Sequence, residues 1–322
     1  MEDDKNKGGP YDDASYTDAP PAQQVRPKGG TRPKELSALP NRGAEGREDR
    51  QVPLVHVAEP VRESDMLRIF CSFPVYNEIE LLPYQIGYLN KNGIEYFVFD
   101  NMSTDGSWEW LQENSVPSKR FDSGGASNIN LNLKLVMNKF HKAKPDWVFL
   151  TAPDMFYVHL GYRSLREAIE AIDEEGFNSV DTQLRFFEFK YSGLEKPGAD
   201  PRLTYFYYEP KSSPGCLLCK FDLSLHVRKT DPDQICRVDQ RFYSNEDFAC
   251  LHYALRHDAK ERKTVQYLRR KKAWEEKLSH PKWGIHYENM VKSGEFVFDK
   301  GKLSDVRKSK FWDPIRDSVT NG

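Results

Sequence analysis

Residues Phe73 to Leu111 read FPVYNEIELLPYQIGYLNKNGIEYFVFDNMSTDGSWEWL. An apolar strand runs into Pro74-Val75-Tyr76-Asn77-Glu78. A second apolar run, Tyr96 to Phe99, ends in Asp100-Asn101-Met102-Ser103-Thr104-Asp105-Gly106-Ser107. Between them Ile79, Leu82, Ile86 and Leu89 recur at helical spacing, and Asn92-Gly93 closes that helix with a pair tolerant of left-handed backbone. The two polar clusters therefore sit at the carboxyl ends of two strands joined by one helix. That is a βαβ unit, and open α/β sheets bind ligands at this edge.

Proline fixes the backbone where the first strand ends. Tyr76 can then lie flat against a nucleotide base, since an aromatic face suits any base. Asn77 and Glu78 add polar groups near the next helix, where they also read as an ordinary cap and first-turn acid. Asp100 can accept a hydrogen bond from a base imide or a ribose hydroxyl. Ser103, Thr104 and Asp105 fall where an N-cap belongs, before a helix carrying Trp108 and Leu111, and Gly106 permits close backbone approach.

Working outward, Leu67 to Phe73 suits a buried parallel strand. Glu95 to Asp100 is the second strand and Asp105 to Asn114 the second helix. Ser127 to Lys142 is a third helix with Leu131, Leu135 and Val136 inward. Asp146 to Thr151 is a third core strand, Arg163 to Glu175 a helix, and Asn178 to Lys190 one extended strand. Tyr191 to Tyr243 mixes short aromatic runs with Pro and Gly, which predicts antiparallel strands and loops. Asn245 to Trp274 reads as helical with a break near His257-Asp258.

Over about Met66 to Leu111 the two motifs, in this order and at this separation, resemble the opening of family 2 glycosyltransferases, GT-A enzymes that use nucleotide-sugar donors. The resemblance implies an α/β fold: a GT-A-like, Rossmann-type mixed sheet flanked by helices. It implies transfer of a sugar to an acceptor hydroxyl with inversion, the acceptor being a glycan, a lipid-linked molecule or a protein. By the same resemblance the loop of Tyr76 lies against the base and Asp100 contacts the nucleotide. Pro74, Asn77, Glu78, Ser103 and Asp105 complete the expected nucleotide-sugar site.

The family carries an Asp-x-Asp signature after its next strand, which binds a divalent ion on the donor diphosphate. Here Thr151 and Pro153 stand where those acids would fall, and Asp154 follows one place late. One or two carboxylates with phosphates and water suffice for Mg²⁺, and His252 as a second ligand favours Mn²⁺. Mn²⁺ or Mg²⁺ on Asp154 and His252 is the expected cofactor. The altered signature also motivates the alternative of a catalytically inactive nucleotide-sugar-binding or scaffold protein on the same fold.

On the helix expected from Asn245, His252 and Arg256 are four apart and share a face. They resemble a His-Tyr-x-x-Arg segment of some family members, and Arg256 can grip a diphosphate through its planar fork. An inverting transfer needs a carboxylate to take the hydroxyl proton and positive charge on the departing diphosphate. Asp247, with Glu246 beside it, is the candidate base, although it equally reads as a helix cap. The basic run 256–272 reads as a solvated helix face, with peripheral contact to anionic lipid as an alternative. Nucleic acid lacks a stacking platform there.

The formal net charge of −2 argues against an electrostatic nucleic-acid binder. No apolar run approaches the roughly 20 residues of a membrane span, and Met1 to Pro10 has no signal-like apolar core, so the expected location is cytoplasmic. Residues 1–65, with eight prolines and two aromatics, read as a disordered arm. The GT-A-like domain is expected over 66–312 and a flexible tail over 313–322. Cys216 and Cys219 form a C-x-x-C pair without a second close pair for zinc, which favours reduced thiols, with a zinc module spanning Cys216 to Cys250 as a third alternative.

Overall fold

The computed structural model describes residues 66–123, 129–180, 186–193, 199–211, 218–227, 235–236, 241–243, 247–276 and 285–320. The arm over 1–65, Glu246, Cys216 and the side chain of Cys236 lie outside the described residues. In chain order the elements are β1 (Ile69–Val75), α1 (Leu82–Lys91), β2 (Glu95–Asp100), α2 (Ser107–Glu113), β3 (Ser118–Arg120), α3 (Ile129–Ala143) and β4 (Trp147–Leu150). There follow β5 (Met155–His159), α4 (Leu165–Glu174), β6 (Ser179–Val180), β7 (Phe186–Lys190), β8 (Tyr207–Lys211) and β9 (Leu218–Lys220). The chain continues through β10 (His226–Val227), β11 (Ile235–Cys236), β12 (Phe242–Tyr243), β13 (Phe248–Leu255), α5 (Ala259–Glu275), α6 (Ile285–Ser293), β14 (Ser304–Asp305) and α7 (Trp312–Thr320).

The architecture is α/β, with two mixed sheets flanked by helices. The first has the order β12-β6-β9-β4-β1-β2-β3. β1 pairs in parallel with both β2 and β4, so the expected βαβ unit forms adjacent interior strands of the sheet, next to its β3 edge. β9 enters antiparallel between β4 and β6. The second sheet runs β14-β8-β7-β13-β5, with β13 antiparallel to β5 and parallel to β7. The run expected as one strand over 178–190 thus divides between sheets, as β6 and β7.

Burial explains why these segments are strands. Ile69, Cys71, Phe73 and Val75 of β1 are all essentially without solvent contact, and so is every residue of β4. Helices cover both faces, so a central parallel strand reads as continuously apolar rather than alternating. Phe70 packs edge-on against Phe140 of α3, with centroids 6.0 Å apart. Trp147, fully buried, donates its indole N–H to Asp173 Oδ1 at 2.7 Å.

Two expectations are corrected. Residues 248–255 form β13, not a helix. The run Phe-Ala-Cys-Leu-His-Tyr-Ala-Leu is buried at every position except His252, and short apolar runs do not distinguish strand from buried helix by periodicity. His252 and Arg256 therefore share no helical face; the helix begins at Ala259. The carboxyl-terminal tail is ordered as α7, where Ile315 is fully buried and Trp312 packs on Phe206.

Candidate functional site

The carboxyl ends of β1 and β2 carry two loops stitched together by side chains. Asn77 has a left-handed backbone, φ 54°, which asparagine tolerates better than most residues. Its side-chain oxygen accepts from the Thr104 N–H at 2.8 Å, and its own N–H donates to Ser103 Oγ at 3.0 Å. The Glu78 N–H donates to Ser107 Oγ and the Ile79 N–H to Asp105 Oδ2, at 3.1 and 2.9 Å. Asp105 also accepts from the Ser107 N–H at 3.0 Å. Gly106, at φ 98°, makes the turn into α2. The capping chemistry expected within each loop is thus also the chemistry that joins them.

Asp100 is fully buried. Its Oδ2 lies 3.1 Å from Arg120 Nε and accepts from the Ser103 N–H at 3.2 Å. Burial pushes its carboxyl up from the ordinary value, and Ser103 and Arg120 pull it back. In this arrangement the Asp100 carboxylate is engaged by protein partners. Tyr76 is half-buried, and the guanidinium of Arg269 lies over its ring, 4.0 Å from the centroid. Arg269 also donates to the Asn101 carbonyl and to Asn101 Oδ1, at 3.1 and 3.2 Å.

Beside these loops lies a buried charge cluster. Glu78 Oε2 meets Arg256 Nη2 at 2.9 Å and its Oε1 meets Arg262 Nη1 at 2.7 Å. Arg256, at the end of β13, also touches Glu80 at 3.3 Å and Asp258 at 3.5 Å. Desolvation opposes its charge, but Glu78, Asp258 and Glu80 outweigh that and raise its pKa. Asp154 follows β4, with its Oδ2 3.6 Å from His252 Nε2. Burial alone would raise the Asp154 carboxyl; attraction to His252, Lys263 and Arg262 holds it well below the usual carboxylate range.

Of the sequence candidates, Pro74, Tyr76, Asn77, Glu78, Asp100, Ser103, Asp105, Asp154, His252 and Arg256 gather around this edge. Arg256 departs from the expected role: it is 1% exposed and its donors are engaged by Glu78, Glu80 and the Tyr253 carbonyl. Asp247 does not join the group. It precedes β13, five residues or about 17 Å of strand from His252, and pairs with Lys310 at 2.8 Å. Its carbonyl accepts from the Leu160 N–H, beside a cavity of about 780 Å³ lined by residues that include His159, Leu160 and Tyr162.

Sequence reasoning missed Arg120, Arg262, Lys263 and Arg269. Arg262 and Lys263 are 6% and 4% exposed, so the expected solvated basic face turns some of its charge inward. A signal was present: residues 262 and 269 are seven apart, two turns of helix, and so share a face. α5 thereby runs beside both loops, with Arg262 on Glu78 and Arg269 on Tyr76.

No protein-family model matches the chain, and no curated protein matches it. Among solved structures, S. aureus TarS 1-349 is similar at 13% identity and TM-score 0.37, the match covering 79% of this chain and 80% of that one. The mannosyltransferase PcManGT from Pyrobaculum calidifontis, in complex with GDP-Man and Mn2+, is similar at 16% identity and TM-score 0.28, over 40% of this chain and 38% of that one. The match spans 22% of another TarS chain. These likenesses are remote.

Glu80, His257 and Asp258 form an acidic and imidazole group whose potential ligand atoms lie within 4.8 Å of one another. Cys219 and Cys250 are buried on strands of different sheets, β9 and β13. No described helix is long and apolar enough to cross a membrane.

Proposed function

We propose that the protein moves a sugar from a nucleotide-sugar to an acceptor hydroxyl, with inversion at the anomeric carbon. The supporting observation is the pair of interlocked loops at the tips of adjacent parallel strands, crossed by a helix that brings Arg262, Lys263 and Arg269 to them. An aromatic ring and an anion-attracting edge are what a nucleoside diphosphate requires. Tyr76 stacks on the base, and Arg269 closes over the opposite side of the ring. Asp100 acts through Ser103 and Arg120, holding the loop whose hydroxyls face the ribose.

In the transfer, the acceptor oxygen forms a bond to the anomeric carbon as the bond to the diphosphate oxygen breaks. The hydroxyl proton passes to a carboxylate, and cations of the site stabilise the charge growing on the diphosphate. Glu78 positions Arg256 and Arg262.

Binding without transfer is the second reading. It is supported by the distance of Asp247 from the cluster and by Thr151 and Pro153 in place of acids. Incubation with radiolabelled UDP-, GDP- and dTDP-sugars, followed by analysis for released nucleoside diphosphate, separates the two. Turnover supports transfer; saturable binding with no release across the panel supports the second reading. Tyr76→Ala is expected to cost about 1–3 kcal/mol of donor affinity, the worth of one stacked base. Unchanged affinity would remove Tyr76 from the site.

A further inference from the structure

We propose that Glu80, His257 and Asp258 form a site for a divalent transition ion of the Mn²⁺ or Zn²⁺ kind, separate from the Asp154 and His252 position expected from the sequence. The ion needs no nucleotide to bind, so this site stands or falls apart from the nucleotide-sugar reading.

The three residues come from two segments. Glu80 lies in the loop that leads from β1 into α1, and His257 and Asp258 form the turn between β13 and α5. All three are half-buried, within reach of an ion from solvent, and each offers one ligand atom within 4.8 Å of the others. His257 Nδ1 is 3.3 Å from Glu80 Oε1. Two ligands held at about 2.0–2.2 Å from one ion, at tetrahedral angles, stand roughly 3.3–3.6 Å apart, so this pair already has the spacing of a shared ion. The Tyr205 hydroxyl lies 2.8 Å from the same nitrogen and fixes the ring. Its proton is free to rotate away when an ion takes the lone pair.

Asp258 is the residue that calls for a ligand. It stands at the N-cap of α5, where an Asp ordinarily accepts from a backbone N–H, yet its side chain makes no capping bond. Its Oδ2 takes two guanidiniums, Arg256 Nη2 at 3.5 Å and Arg262 Nε at 3.4 Å. Its Oδ1 is buried and has no hydrogen-bond partner among the described residues. Burial opposes the charge of this carboxyl, but Arg256 and Arg262 outweigh that and hold its pKa below the ordinary value. A buried oxygen of an ionised carboxylate is costly to leave unpartnered, and a bound cation removes that cost.

Charge balance admits the ion in spite of the guanidiniums. Arg256 touches Glu78, Glu80 and Asp258, and Arg262 touches Glu78 and Asp258. Three carboxylates thus share two guanidiniums. Lys263 and Asp154 act on Glu78 with opposite signs and offset one another. Two carboxylates and an imidazole suit Mn²⁺ or Zn²⁺ better than Mg²⁺ or Ca²⁺, which favour oxygen ligands alone. Three protein ligands leave a position open for water or for an oxygen of a bound molecule. The filled site would tie the loop after β1 to the start of α5.

The test is calorimetric titration of the metal-stripped full chain with MnCl₂, ZnCl₂ and MgCl₂, without nucleotide, and with circular dichroism as the fold control. Wild type should take up one Mn²⁺ or Zn²⁺ per chain, with Mg²⁺ weaker by roughly tenfold or more. Asp258→Asn, His257→Gln and Glu80→Gln should each weaken uptake by roughly tenfold or more, since even an outer-shell partner of a metal is worth about 10–100-fold. Asp154→Asn should bind the ion like wild type. The melting temperature of wild type should rise with Mn²⁺ or Zn²⁺, and Asp258→Asn should lose that rise. If Asp258→Asn does not fold, His257→Gln and Glu80→Gln decide. Wild type that takes up none of the three ions overturns the inference, and so does uptake unchanged in every folded variant of the three ligands. Uptake lost in Asp154→Asn but kept in Asp258→Asn moves the ion to Asp154 and overturns it as well. Each of these outcomes leaves the nucleotide-sugar reading intact, because release of nucleoside diphosphate tests that reading separately.

Discussion

Arg256 carries three acids in a site where it is almost without solvent contact. Removing one member of a buried ion network leaves its partners charged and unpaired, which costs far more than the network contributes in net stability. Arg256→Ala is therefore expected to lower the unfolding free energy by about 3–5 kcal/mol in a urea titration. His159 gives a pH dependence. Its Nδ1 accepts from the Gly161 N–H and its Nε2 faces the Tyr243 hydroxyl at 2.9 Å, so the folded protein holds the neutral ring. Burial lowers its pKa from the ordinary 6.5, against a weaker pull from Asp247. The unfolded chain thus binds the proton more readily. The stability this residue contributes is complete above pH 6.5 and is lost as pH falls through the lower folded value. Melting temperature between pH 7.5 and 5.5 should fall less steeply for His159→Gln than for wild type; parallel curves would exclude His159 as the source.

Elements here are set by context as much as by pattern. α4 is the helix whose signals agree at every level. Ser164 caps it by accepting from the Glu167 N–H at 3.1 Å, and Leu165, Ala168, Ile169 and Ile172 bury one stripe. Ser164→Ala should cost about 1 kcal/mol by thermal melting. The turn into α2 depends on Gly106 at φ 98°, a conformation side chains resist. Gly106→Ala should destabilise by about 1–2 kcal/mol although its added methyl would meet only Ile79, at 4.0 Å. β13 shows the opposite behaviour. It lies between β7 and β5, and Tyr253 stacks on Phe189 with centroids 4.5 Å apart. The neighbours that make it a strand come from residues 155–159 and 186–190, far away in sequence.

For the whole molecule, the site joins the first sheet to the end of β13 and to α5, so a ligand there ties together parts remote in sequence. A nucleotide-sugar bound only by the native state should raise the apparent stability by about 2.7 kcal/mol at a hundred times its Kd. A thermal-shift series against UDP-, GDP- and dTDP-sugars checks this, and a flat response to all of them would contradict the assigned site. Phe73 to Leu111 was legible alone because strand, helix, strand and both polar tips are consecutive, and local hydrogen-bonding chemistry specifies each turn. Those consecutive signals suffice for the α/β class, the βαβ unit and the adjacency of the Tyr76 and Asp100 loops. Long-range packing alone commits Arg256 to Glu78 and its neighbours, sets Asp247 ahead of β13 against Lys310, and turns Arg262, Lys263 and Arg269 inward. Charge placement depends on which groups are desolvated together, and desolvation is fixed by contacts between distant segments that no local periodicity encodes.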